Sequence, residues 1–314
     1  MRYQKSIVIT AVCALLVLSL GVAAVADEKY EEKFNKTESI APDGKVKLTN
    51  ISGDVWVRTW DKAEVQINAL KTAKASSMDK AKENAQLVKI EVTKVDGGLE
   101  VIAKYPEGTH KHLNVSVNFD LMIPAKAALT AVTVSGDVKV EKIGGALKVA
   151  TVSGDVTVMG AAKGADAKSV SGDVTMSDVT GDVYLNTVSG DVKADRIKGS
   201  ISSETVSGNA ELSGISEAKT VSAKVLSGDV TYQGQLNKEG RYTFKTHSGN
   251  VEVTIPADSA FEFSAETFSG DISTDFKVEV SGKISKKELH GTVNGGGAVL
   301  NLASFSGDID LKKI

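Results

Sequence analysis

Four aspartates, Asp137, Asp155, Asp173 and Asp191, stand 18 residues apart, each closing a Ser-Gly-Asp triplet. If successive copies occupy successive coils of a stacked structure, their carboxylates lie about 4.8 Å apart. Two bare charges at that spacing repel by about 0.9 kcal/mol in water and several-fold more near a protein surface, so the column needs a cation or donors. Ca²⁺, which takes oxygen ligands, is one answer and makes these four aspartates the metal candidates. Calcium-binding β-rolls, however, carry Gly-Gly-x-Gly-x-Asp, which is missing here, and Asn209 and Asn250 interrupt the column. Hydrogen bonding of each side chain to its own local backbone is the favoured reading, and no cofactor is expected.

A second column, Thr133, Thr151, Ser169, Thr187 and Thr205, makes a hydroxyl ladder. It is either a ligand-reading face or ordinary sheet stabilisation, at about 0.2–1 kcal/mol per cross-strand pair. Trp56 and Trp60, four residues apart, offer a stacking surface or an anchor for a cap. His110-Lys111-His112 places two imidazoles on one side of an extended segment, but no third metal ligand stands nearby. His247 falls at an apolar column position and reads as a packed imidazole. Gly295-Gly296-Gly297 lacks the Gly-Lys-Ser/Thr ending of a phosphate loop and reads as a turn. A polysaccharide-cleaving β-helix needs clustered acids and bases with aromatic platforms. Residues 131–225 contain one aromatic, Tyr184, and one arginine, Arg196, so an enzyme is not expected.

The element that must position these columns is a repeat. Ser-Gly-Asp or Ser-Gly-Asn begins at Ser52, Ser135, Ser153, Ser171, Ser189, Ser207, Ser227, Ser248, Ser269 and Ser306. A nine-residue half-period runs inside it, with apolar residues at the first, third and sixth positions. Val138-x-Val140-x-x-Ile143 and Leu147-x-Val149-x-x-Val152 are two successive copies. Alternation at the first and third positions marks a short strand with one buried face. The sixth position is expected to turn a third side chain inward. One coil of two such halves buries about six small side chains, too few to offset ordering some 18 residues at about 1–2 kcal/mol each. Stacked coils share one core and pair their backbones above and below. Proline is absent between Pro124 and Pro256, as strands that need every N–H require. The fold class predicted is an all-β parallel β-solenoid with coils of about 18–21 residues, over 129–314.

Upstream, 42–128 reads as a β-rich cap that includes a first solenoid-like segment, Val46-x-Leu48-x-x-Ile51. The cap carries a strand at Val65–Ala69, a short helix over Ser76–Leu87, a hairpin across Asp96-Gly97-Gly98 and a strand ending at Pro124. Residues 27–41 read as an irregular lead-in. Residues 1–26 read as a signal peptide: Arg2 and Lys5, an apolar run from Ile7 to Val22, then Ala24-Val25-Ala26 as the cleavage pattern. Cleavage removes Cys13, the single cysteine, which excludes thiol catalysis and Cys-zinc sites from the mature chain and suits an oxidising compartment.

These elements together resemble the bacterial putative-adhesin β-solenoid family, an exported domain of unknown function. The residues that carry the resemblance are Ile51-Ser52-Gly53-Asp54, the helix-bearing insert, Ile123-Pro124, the Val-Ser-Gly-Asp coils, Gly295-Gly296-Gly297 and Ser306-Gly307-Asp308-Ile309. The resemblance implies a parallel β-helix exported to the cell envelope and carries over no catalytic residue. The 37 basic and 40 acidic residues argue against nucleic acid as a partner. The expected protein is a non-enzymatic, adhesin-like interaction or structural module, periplasmic, secreted or on the cell surface. It does not span the membrane after signal cleavage, and its partner is an envelope polymer or protein. The alternative is an envelope-stress-related module that binds peptides or lipids through aromatic C-terminal coils. A polysaccharide-active enzyme ranks last.

Overall fold

The computed structural model describes residues 27–106, 108, 113–280, 285 and 287–314. The signal-peptide segment 1–26 and the His110-Lys111-His112 motif lie outside the described residues.

Each coil gives one strand to each of two facing, mostly parallel sheets. Ala128–Val132 and Val138–Ile143 form one coil, and Leu147–Ala150 and Val156–Ala161 the next. Equivalent template positions pair from coil to coil: Leu147 with Leu129 and Ala165, and Val156 with Val138 and Val174. The protein is an all-β, parallel β-solenoid. Small aliphatic side chains fill the middle of the core, and Tyr232, Tyr242, Phe244 and Phe261 fill its C-terminal part. Tyr232 stacks on Phe244 at 5.0 Å, and its hydroxyl donates to the Gln235 carbonyl at 2.8 Å. Burial holds that phenol well above its usual range.

The inward pattern differs between the two sheets. In Val138–Ile143 and its equivalents the fifth position is left-handed: Lys142, Gly160, Asp178, Arg196 and Gly214 have φ between 52° and 84°. That residue breaks the alternation, so Ile143, Ala161, Val179, Ile197 and Ile215 turn inward as expected. In the other sheet the fifth position is the Thr/Ser column, whose members do not adopt that conformation. Alternation therefore continues, the fifth side chain points in, and the sixth points out. The expectation of an inward sixth position is corrected for this sheet: Val134, Val152, Val170, Val188 and Val206 are exposed.

Stacking order departs from chain order at both ends. Lys45–Thr49 and Val55–Trp60 pair in parallel with Ala128–Val132 and Val138–Ile143. On their other side they pair in parallel with Gly98–Lys104 and Val115–Pro124. The coil pattern thus reaches upstream of residue 129, with 45–60 as the second coil and Gly98–Lys104 with Val115–Pro124 as the first. At the far end, Ala298–Ser306 and Ile309–Lys313 lie between Arg241–Ser248 with Val251–Ile255 and Phe261–Ser269 with Ile272–Thr274. The last segment of the chain is therefore the penultimate coil.

Antiparallel strands flank the two ends. Lys89–Val95 forms the expected hairpin with Gly98–Lys104. Glu64–Ala75 lies antiparallel to Val115–Pro124. Residues 27–41 are not an irregular lead-in: Glu28–Ser39 is a twelve-residue strand, antiparallel to Glu64–Ala75 along its whole length. Glu28, Lys29, Glu31 and Lys33 face solvent, while Tyr30 and Phe34 pack against the core and share their partly buried face with Glu32, Lys36 and Glu38. The helix Met78–Leu87 packs on both of these strands, capped by the Ser77 hydroxyl, with Ala81 and Ala85 buried. Glu288–Val293 runs antiparallel to Phe261–Ser269 at the opposite end. The outermost strand, Glu28–Ser39, is rich in Lys and Glu, which discourages another chain from pairing with that edge. Among the described residues no helix is long and apolar enough to cross a membrane.

Candidate functional site: a ridge and groove along one corner

The corner before each Ser-Gly-Asp triplet organises the candidate surfaces. Its aspartates do not bond their own local backbone, as the sequence suggested, but the coil above. Asp155 N–H donates to Asp137 Oδ1 at 2.9 Å, Asp173 N–H to Asp155 Oδ1 at 2.8 Å, and Asp191 N–H to Asp173 Oδ1 at 2.8 Å. The ladder starts at Asn118 Oδ1, which accepts from Asp54 N–H, and ends where Asp271 N–H donates to Asp308 Oδ1. Asn209 and Asn250 serve equally, because only the acceptor oxygen is used. The aspartate column brings no three such groups within 4.8 Å of one another among the described residues. Asp173→Asn is therefore expected to leave thermal stability nearly unchanged, while Asp173→Ala costs about 1 kcal/mol. Equal losses in calorimetry would show that the charge, and not the acceptor, matters.

The hydroxyl column is interior. Thr133, Thr151, Ser169, Thr187 and Thr205 are all at most 4% exposed and do not form a ligand-reading face. The Thr187 hydroxyl donates to the Gly172 carbonyl one coil below at 2.9 Å, and Ser169, Thr205 and Thr246 repeat the bond. Thr133 makes none, because Asn50 Nδ2 donates to the Gly53 carbonyl it would use. These side chains seal the corner.

What the corner presents outward is apolar. In stacking order the exposed rungs are Ile51, Val134, Val152, Val170, Val188, Val206, Leu226, His247, Phe305 and Phe268. The nine apolar members are between 41% and 70% exposed. His247 is not packed inside, as expected from its column, but stacks outside on Phe305 at 4.7 Å, and Phe305 stacks on Phe268 at 4.8 Å. A groove runs beside this ridge. One stretch, about 300 Å³, lies between Val188, Val206, Leu226 and Asn186, Glu204, Lys224, with Thr187, Thr205 and Val225 beneath. Another, about 580 Å³, adjoins Phe268 and Phe305. Sequence reasoning missed the ridge because it assigned these residues to the core. The signal was the fifth position: Thr or Ser before the outward valines, and Gly, Asp, Lys or Arg before the inward residue.

Trp56 and Trp60 part company. Trp60 is half-buried, its indole N–H donating to the Glu64 carbonyl at 2.7 Å, and it anchors the turn into the end strands. Trp56 lies on the outer face, its indole N–H donating to Glu141 at 3.1 Å and Arg58 stacked over the ring at 4.1 Å. Lys139, with the Trp56 N–H adding, holds the Glu141 carboxyl below the usual range. Arg58 is itself tied to both oxygens of Asp120 at 2.8 Å. A recess of about 530 Å³ opens beside Trp56, with Asn35, Asn68, Asn118 and Asp120 around it. At the other end Glu266, Glu288 and His290 meet across paired strands, His290 Nε2 lying 2.9 Å from Glu288 Oε1. All three lie at the surface, and sequence spacing gave no sign of their meeting.

No curated protein matches the chain. Among solved structures it is similar to a putative adhesin from Bacteroides fragilis, at 14% identity over 90% of this chain and 97% of that one, with a TM-score of 0.40. A putative adhesin from Parabacteroides distasonis gives 13% identity, 90% and 97% coverage, and a TM-score of 0.42. A putative lipid binding protein from the same organism gives 13%, 90% and 96%, and 0.39. The model of the family Toastrack DUF4097 matches residues 32–177 and again 144–312, and between them these matches span almost the whole solenoid and its end strands. The chain belongs to the Toastrack DUF4097 family.

Proposed function

We propose that the protein is an exported, non-enzymatic solenoid that acts as an adhesin-like interaction module of the bacterial cell envelope, in the periplasm or at the cell surface. The observation that carries this reading is the apolar ridge. Scattered exposed valines need no explanation, but a contiguous apolar line with polar flanks marks an interaction surface. Export is supported by Arg2, Lys5 and the Ala24-Val25-Ala26 pattern.

The test is retention of the purified protein on isolated envelopes. Val170→Lys, Val188→Lys and Val206→Lys combined are expected to lower retention at least about tenfold, since buried anchors dominate interface energies. Circular dichroism should be unchanged, because all three side chains point away from the core. Undiminished retention would remove the ridge from the reading. The exposed His247–Phe305–Phe268 stack and its groove favour a second reading, capture of peptides or lipids at the C-terminal end. In that case Phe268→Ser with Phe305→Ser abolishes retention and the three lysines do not.

A further inference from the structure

We infer that the occupant of the ridge is a second copy of this chain, docked side by side and parallel, ridge into groove. The inference rests on the reading of the ridge as an interaction surface and names its partner. A partner that touches every rung must repeat at the inter-coil spacing, about 4.8 Å, over the length of the rod. A second solenoid meets that condition by construction.

The surface is also self-complementary. Ridge and groove are neighbouring lines along one face: Val188, Val206 and Leu226 form the crest, and the groove separates them from Asn186, Glu204 and Lys224. A twofold axis along the rod lays each crest in the partner's groove. A twofold axis across the rod would set crest on crest and leave both grooves empty. The isologous solution is therefore parallel, and each coil faces its own twin. Size agrees: half-exposed side chains at nine rungs offer on the order of 650 Å² per copy, against about 800 Å² per partner in a standard interface. A single-residue crest flanked by charged side chains such as Glu204 and Lys224 suits a grooved protein better than the flat apolar face a bilayer takes. Glu204 and Lys224 already pair with each other at 2.9 Å, so the groove's far lip brings no unpaired charge from either residue into the contact.

Sedimentation of the purified protein at about 50 μM is expected to show a dimer, and the three-lysine variant a monomer with affinity at least about 100-fold weaker. Orientation is read with single cysteines introduced into residues 27–314, which contain no cysteine of their own, so no other thiol competes. Val134→Cys and Leu226→Cys should each form disulfide-linked dimers with their own kind. Mixed together they should not cross-link, because five coils separate the two rungs by about 24 Å. A wild-type monomer overturns the inference, and so does preferential linkage of residue 134 to residue 226. A monomer that is still retained on envelopes, and loses retention with the three lysines, overturns the self-pairing while leaving the interaction module standing with a different partner. The cysteine variants report even if the lysines disturb folding.

Discussion

Gly172→Ala is expected to destabilise the solenoid by at least about 4 kcal/mol, in the range reserved for a defined structural conflict. Gly172 has φ +142°, and a Cβ there would stand 2.1 Å from the Gly154 carbonyl oxygen and 2.5 Å from its carbon. Both atoms belong to backbone. Neither can move alone, because Gly154 N–H donates to the Ser171 carbonyl and Gly172 N–H to that of Ser189, both at 2.9 Å. Relief requires the two coils to part at the corner, which breaks the amide ladder and the Asp155–Asp173 bond together. Gly97→Ala is the control: φ is +72°, and nothing lies within 4 Å of the added Cβ. Its cost should stay at about 1–2 kcal/mol, that of a left-handed L-residue. The readout is the shift in urea midpoint together with hydrogen exchange. A solenoid transmits damage mainly to neighbours, so protection should fall first in 147–198 and last in the end strands. Equal shifts for the two variants would mean that the corners do not hold the coils at this spacing.

The parts of the fold fixed by local chemistry were legible in the residues. The Ser-Gly-Asp period located the coils, the stretch Ser76–Leu87 with Asp79 in its first turn located the helix, and Asp96-Gly97-Gly98 located the hairpin. Two features were hidden for different reasons. Glu28–Ser39 carries seven charged residues among its twelve, and its strand state comes from pairing with Glu64–Ala75, a partner 25 or more residues away. The order of the end coils was hidden by the repeat itself. When every coil offers the same corner, any coil can dock on any other, and the template does not say which one does. The site was misread through one position. Apolar residues at position six look identical in Ile143 and Val152. Only the backbone conformation of position five, left-handed at Lys142, Gly160 and Asp178 but not at Thr133, Thr151 and Ser169, separates inward from outward. That difference turned a supposed core column into the ridge, and of the two readings of the hydroxyl column it left the stabilising one, as the corner seal.

Removing residues 298–314 is expected to unfold far more than those residues. In a solenoid stacked in chain order, loss of the last coil would remove one interface and leave the rest in place. Here the deleted coil is internal. Phe261–Ser269 loses Ala298–Ser306 as its parallel partner, and Ile272–Thr274 loses Ile309–Lys313. The core loses Leu300, Leu302, Ile309 and Leu311, all buried, which at about 2 kcal/mol each removes on the order of 8 kcal/mol. Segment 257–297 should then become the preferred site of limited proteolysis, while 128–234 stays resistant, as read by intact mass. A synthetic 298–314 peptide added in trans should restore protection, because it carries both missing strands and the Ser306-Gly307-Asp308 corner. Protection of 257–297 without the peptide would mean that Phe261–Ser269 has slid one rung down onto Arg241–Ser248. The shared template permits that slip, but it would set Phe263 against Tyr242, where the native stack interposes Leu300. The larger ring in the smaller side chain's place is the steric reason for the inserted coil to remain where it is.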